Sequence, residues 1–149
     1  MMPGMMPGTM PGTMRRLPDW QVRLVRHLCG AASAPFVPGR NDCALFAAAG
    51  VQAMTGCDLA AGWRGRYRTI RGGLRMLRRA GYADHLALVA AHFAQVAPAY
   101  AAPGDLAAVP GPDGMSLGIV QGAGIYVLTP GGLATVSRLT AIAAWQVPA

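Results

Sequence analysis

The sequence contains neither lysine nor glutamate, so all 13 of its basic residues are arginine and all 6 of its acidic residues are aspartate. The formal net charge of +7 favours anionic partners, although net charge says nothing about the fold. No apolar run approaches the roughly 20 residues of a membrane-spanning helix. The pair Arg15-Arg16 is followed by no apolar segment and is not an export signal. We therefore expect a soluble protein that is made in the cytoplasm without a signal peptide.

Cysteine is also scarce. Cys29, Cys43 and Cys57 form no CxxC pair and are odd in number, which argues against a disulfide framework and against a zinc site. We expect three free thiols in a reducing compartment, with no metal ion and no cofactor.

The chain divides into an arm and one domain. Residues 1–14, "MMPGMMPGTMPGTM", repeat Met-Pro-Gly, and neither helix nor sheet tolerates Pro and Gly at such short intervals. We expect this arm to be ordered only when a partner binds it. Residues 15–149 are rich enough in apolar side chains, at 53% of the whole chain, to form one globular domain.

Helical spacing dominates the first part of this domain. Four helices are predicted: one from Asp19 to Gly30, one from Asp42 to Gly56, one from Ile70 to Gly81, and one capped by Asp84 that carries Leu88, Phe93 and Val96. Short apolar runs separated by Gly and Pro then predict antiparallel strands: "DLAAVP", "LGIVQ", "IYVLTP", "LATVS" and "AAWQVP". Helices first and sheet last define the α+β class.

Cys43 lies in the first turn of the second predicted helix, within "NDCALFAAAG". The positive end of a helix and its unpaired backbone N–H groups stabilise a thiolate, so this position suits a nucleophile. The alternative is structural: Cys43 shares an apolar stripe with Phe46, Ala47, Gly50 and others, and free cysteine is often a small buried apolar residue. The spacing leaves both roles open.

The segments "GRNDCALFAAAGVQAMTG", "PGDLAAVP" and "SLGIVQGAGIYVLTP" resemble, over about residues 36–147, the NlpC-type cell-wall peptidases, which are papain-like enzymes. The resemblance implies a papain-like fold anchored by Asp42-Cys43 and by Gly104-Asp105, with Cys43 as the catalytic residue. More closely, the chain is similar to a branch encoded among phage and gene-transfer-agent tail genes, in which "GR-DC", "RGRY" and "LGI" recur.

Ser116 stands where this resemblance calls for the catalytic histidine, two residues before Gly118-Ile119. A cysteine peptidase needs an imidazole within reach of its thiol, so the base is missing at that position. The three histidines, His27, His85 and His92, all fall in predicted helices, and we expect them to be ordinary helix residues.

The segment from Arg64 to Arg79 holds seven arginines and no acidic residue. Interleaved with Trp63 and Tyr67, they suit phosphate and stacking contacts with nucleic acid. No recognisable nucleic-acid module accompanies them, which favours a solvated face or a protein-binding surface. The candidate partner-binding residues are Arg64, Arg66, Arg68, Arg71 and Arg75.

From the resemblance and its missing base we expect a structural component of the tail tip or baseplate of a phage or phage-like particle, built on a degenerate peptidase fold. Its partners would be other tail-tip proteins, hub or baseplate subunits, with peptidoglycan as a further candidate and nucleic acid disfavoured. Two alternatives stay open: an active cysteine peptidase that cleaves peptidoglycan during cell entry, and an arginine-rich nucleic-acid-binding protein.

Overall fold

The computed structural model describes residues 14–112 and 114–149. In these residues four α-helices precede a six-stranded antiparallel sheet, so the α+β class is confirmed. The elements are α1 Trp20–Ala31, α2 Cys43–Thr55, α3 Ile70–Arg79, α4 His85–His92, β1 Ala94–Val96, β2 Leu106–Gly111, β3 Gly114–Gln121, β4 Gly124–Thr129, β5 Gly132–Ser137 and β6 Ala143–Gln146. The first thirteen residues of the expected arm lie outside the described residues.

Side-chain caps fix where three of the helices begin. Asp42, Thr69 and Asp84 each accept a hydrogen bond from a backbone N–H in the first turn of α2, α3 and α4, respectively. Gly56 ends α2 in the left-handed conformation at φ 82°, where a residue without a side chain is least strained. Within the described residues no helix is long and apolar enough to cross a membrane.

The sheet has the strand order β1-β6-β2-β3-β4-β5, with β6 inserted between β1 and β2. The five predicted strands are all present, but β1 was missed because the sequence pattern assigns Phe93 and Val96 to the fourth helix. In the structure α4 ends at His92, Phe93 is extended, and Val96 pairs with Ala144 of β6. The distant β6 supplies hydrogen bonds that local periodicity does not reveal, and these override the helical pattern.

Alternate residues of the sheet enter two apolar clusters, one on each face. One face packs against α1, α2 and α4, and the buried α2 residues Phe46, Ala47, Val51 and Met54 lie at its centre. The other face packs against strand and loop residues. Met14, which the Met-Pro-Gly pattern places in the arm, is instead 3% exposed and belongs to the helix-covered cluster. Because α2 packs on this face, its first residue, Cys43, lies against β3 in the middle of the sheet.

The apolar stripe predicted for α3 does not enter this core. Ile70 is 41% exposed, Leu74 and Leu77 are only half-buried, and Gly73 is the buried residue of the helix. The α3 helix therefore stands away from the sheet, and a cavity lies beneath it.

Candidate functional site

Asp42 organises the start of α2. Its side chain is almost completely buried, with 2% of the residue exposed. One carboxylate oxygen accepts from the backbone N–H of Leu45 at 3.0 Å, and the other accepts from the N–H of Gly39 at 3.0 Å and from the Tyr67 hydroxyl at 2.6 Å. These three hydrogen bonds connect the start of α2 to the preceding loop and to Tyr67, on either side of Cys43. Asp42 acts here as a helix cap and a clamp.

Tyr67 belongs to the "RGRY" segment and lies over this clamp. A Cβ on Gly39 would come within 1.7 Å of the Tyr67 carbonyl oxygen, and a Cβ on Gly73 within 3.0 Å of its ring. Gly39 also has φ 82°, a conformation that favours glycine. Burial and the neighbouring Asp42 carboxylate raise the pKa of Tyr67, so its hydroxyl stays protonated and donates to Asp42. The segment therefore locks the loop that precedes α2.

Cys43 is half-buried and packs against β3, where Ser116 and Leu117 face it. Burial raises the pKa of the thiol, and so does the negative charge of Asp42. Hydrogen bonds from the Leu117 backbone, the Ser116 side chain and the Ala44 backbone act in the opposite direction but do not outweigh burial. The two residues proposed from the resemblance, Cys43 and Ser116, are thus brought together, and the thiol is protonated at neutral pH.

The three histidines have different environments. His27 stacks on Phe46 with ring centroids 5.0 Å apart, and its Nε2 lies 3.0 Å from the Phe46 carbonyl oxygen. His92 is bonded to the Leu88 carbonyl of its own helix at 2.9 Å. Neither lines the cavity that holds Cys43, whereas His85, the first residue of α4, does.

His85 is the functional candidate that the sequence reasoning missed. Burial lowers its pKa, while the charge of Asp84, the nearby Met115 backbone and the charge of Asp42 act in the opposite direction. The buried Nε2 has no hydrogen-bond partner in the described part of the chain. In the sequence, His85 is marked only by its position directly after the Asp84 cap. That position predicts the start of a helix but not which part of the protein the imidazole contacts.

The cavity itself has a volume of about 390 Å³ and lies between α2, the α3–α4 pair and the sheet. Its polar lining includes Asp42, Cys43, Tyr67, His85 and Ser116, and most of the remaining wall is apolar. Among the described residues, no three His, Cys or acidic side chains gather in a way that could hold a metal ion.

The predicted arginine surface divides into two parts. Arg64 forms an ion pair with Asp58 through contacts of 2.7 and 3.3 Å, so its guanidinium is partly occupied within the domain. Four further predicted partner-binding residues are exposed: Arg66, Arg68, Arg71 and Arg75. These four lie on or just before α3 and face solvent.

Gly104-Asp105, the second anchor of the resemblance, does not line the cavity. Asp105 is 3% exposed; it forms a 2.9 Å ion pair with Arg16 and accepts from the backbone N–H groups of Ala102 and Val147. Arg16 also stacks on Trp20, with its guanidinium carbon 4.3 Å from the ring centroid. Asp105 therefore joins both ends of the described domain to the sheet.

The fold and the cavity define an α+β domain with a half-buried thiol at a helix start, packed against a strand at the wall of a mostly apolar pocket. The chain belongs to a family described as a domain of unknown function, DUF6950, whose model matches residues 15–147. No curated protein matches the chain.

Proposed function

We propose that this protein is a structural subunit of the tail tip or baseplate of a phage or phage-like particle, built on a degenerate NlpC-type peptidase fold. The assignment to a tail comes from the resemblance of "GR-DC", "RGRY" and "LGI" to the tail-gene branch. The order of the elements is consistent with the proposed NlpC-type fold, because helices precede an antiparallel sheet and Cys43 begins the helix that packs on β3.

The observation that carries the non-catalytic role is the pairing of Cys43 with Ser116. The hydroxyl of serine does not accept a proton from a thiol at neutral pH, so it cannot replace an imidazole base. Burial raises the pKa of Cys43 further above neutrality. A protonated thiol without a base beside it is a poor nucleophile.

The exposed arginines at and before α3 are the proposed contact surface for a hub or baseplate subunit. Arginine is enriched in protein interfaces because its planar guanidinium binds carboxylates in pairs of hydrogen bonds and also packs on apolar surface. Four such side chains on one exposed region fit an acidic partner surface.

Two measurements test this function. Mass spectrometry of purified particles should detect the protein at a fixed ratio to other tail proteins, and purified protein should release no muropeptides from cell-wall sacculi. Absence from intact particles would refute the tail assignment. Release of muropeptides that disappears in Cys43→Ala would refute the non-catalytic assignment.

One observation favours the cysteine-peptidase alternative. His85 lines the same cavity as Cys43 and leaves Nε2 without a partner in the described residues, so α4 offers an imidazole that β3 lacks. If this imidazole serves as the base, muropeptide release should be lost in His85→Gln as well as in Cys43→Ala. The matched control is His92→Gln, because His92 lies on the same helix outside the cavity.

A further inference from the structure

The cavity beside Cys43 is partly open to solvent and is too large to be a gap left by imperfect packing. Protein cores pack as densely as organic crystals and leave few voids larger than a water molecule. At about 390 Å³ it falls instead within the range of small-molecule sites, roughly 300–1,000 Å³. It is therefore comparable with a binding pocket and larger than a packing defect.

The apolar wall of the cavity is incompletely covered on one side. Leu106, Leu117 and Leu128 of the sheet are buried, but Leu74 of α3 and Leu88 of α4, which line the opposite wall, are only half-buried. An apolar molecule in the cavity would remove the remaining surface of these helix residues from water, which is the main driving force for binding in such pockets.

Two buried polar atoms of residues that line the cavity have no hydrogen-bond partner in the described part of the chain. Trp63 is 5% exposed and its Nε1 has no hydrogen-bond partner in the described residues, and the same holds for Nε2 of His85. Both side chains line the cavity. Buried polar atoms in native proteins nearly always have a partner, and tryptophan Nε1 is a donor only. A ligand that satisfies Trp63 must therefore carry an acceptor, and a hydroxyl can satisfy His85 as well.

We propose that this cavity is a binding site for a small amphiphile: a compact aliphatic body that lies against Leu74 and Leu88, with one hydroxyl head directed to Trp63 and His85. The proposal does not depend on the tail-tip assignment. It requires only the cavity, its apolar wall and the two unpaired polar atoms.

The test compares hexan-1-ol with n-hexane, which has the same chain without a head. Binding is measured by isothermal titration and by thiol labelling of Cys43, which lines the cavity, while the exposed Cys29 serves as an internal control in the same molecule. Hexanol at ten times its dissociation constant should slow labelling of Cys43 roughly tenfold, because the free fraction falls in that proportion, and should leave Cys29 unaffected. Hexane should bind more weakly.

Substitutions in the protein test whether hexanol binds inside the cavity and whether its hydroxyl pairs with His85. Ala48→Leu places a larger side chain in the cavity and should abolish hexanol binding, whereas Ala90→Leu on the exposed side of α4 should not. His85→Leu should reduce hexanol affinity severalfold and leave hexane unchanged. If Ala48→Leu does not fold, a concentration-dependent rise in the melting temperature of the natural protein with hexanol provides an independent measure.

The proposal is overturned by any of three results: no protection of Cys43 and no rise in melting temperature at millimolar hexanol, equal protection of Cys29, or equal binding of hexanol by Ala48→Leu. Equal affinity for hexane and hexanol in the natural protein would overturn the assignment of the head to Trp63 and His85.

Discussion

Replacing Tyr67 by phenylalanine removes one hydroxyl and keeps the ring that packs against Gly39 and Gly73. The hydroxyl donates to Asp42 at 2.6 Å. Because Asp42 is only 2% exposed, a water molecule cannot readily replace the lost hydroxyl as a donor. Hydrogen bonds to charged groups contribute about 1.5–3 kcal/mol to stability. Because Asp42 keeps its two backbone donors, we expect the lower part of this range, about 2 kcal/mol.

Thermal and urea denaturation followed by circular dichroism measure this loss. For a domain of this length each kcal/mol corresponds to a shift of about 2–4 °C, so the melting temperature should fall by about 4–8 °C. The matched control is Tyr100→Phe, because Tyr100 is 82% exposed and its substitution should change the melting temperature by less than about 1 °C. Gly39→Ala should be more damaging than Tyr67→Phe, since its Cβ would meet the Tyr67 backbone.

If Tyr67→Phe lowered stability no more than Tyr100→Phe, the hydrogen bond to Asp42 would not hold the loop before α2, and the clamp would reduce to its backbone donors. A loss of several kcal/mol beyond this range would instead indicate that the whole "RGRY" segment detaches. Detachment of the segment would also change the slope of the unfolding free energy against urea concentration, because that slope depends on the surface exposed on unfolding.

Three further predictions concern Cys43, the buried histidines and the exposed arginines. Cys43 should react with a thiol reagent at neutral pH more slowly than Cys29 and than a free-thiol standard, since burial raises its pKa; faster labelling of Cys43 would refute this. Burial lowers the pKa of His27 and of His85, so below about pH 6.5 the folded protein binds fewer protons than the unfolded chain. These two histidines should therefore leave the free energy of unfolding unchanged above this pH and lower it as the pH falls toward the pKa values of the folded state. Urea denaturation between pH 7.5 and 5 measures the fall, which should be shallower when both histidines are replaced by glutamine, and a flat profile in the natural protein would contradict it. Finally, the exposed arginines of α3 should not bind DNA with micromolar affinity at about 0.15 M salt; tighter binding with a steep salt dependence would favour the nucleic-acid alternative.

The sequence was sufficient to predict α2 and its neighbours on the sheet. An acidic cap, apolar residues three and four apart, and a closing glycine are local signals, and the structure places α2 at Cys43–Thr55 as they indicated. The strands from β2 to β6 were also visible as short apolar runs bounded by Gly and Pro. β1 was not, because its three residues are held by pairing with β6, and no local pattern reports a partner so distant in the chain.

The cavity could not be predicted from the sequence, for a different reason. The spacing of Leu74 and Leu77 predicts that α3 has an apolar face, but not whether that face contacts the core or stands above a space. His85 likewise lies at a predicted helix start, and only the packing of α4 decides that it lines the same cavity as Cys43. Such placements depend on the tertiary arrangement of helices, which periodicity does not determine.

Asp42 and Asp105, the two acidic residues of the pattern that resembles a peptidase, each have a structural role that does not depend on catalysis. Both carboxylates are buried and accept hydrogen bonds from backbone N–H groups: Asp42 holds the start of α2, and Asp105 joins Arg16 to the segment after β6. Replacing either would leave buried donors unpaired, at a cost of about 1–3 kcal/mol for each group. Ser116 differs from the two aspartates: it carries no charge, and its side chain lies beside Cys43 and close to Gly111 in the wall of the cavity. A change at position 116 therefore alters the chemistry of the site without removing the acceptor of a buried backbone N–H, whereas a change at either aspartate removes two such acceptors and endangers the fold itself.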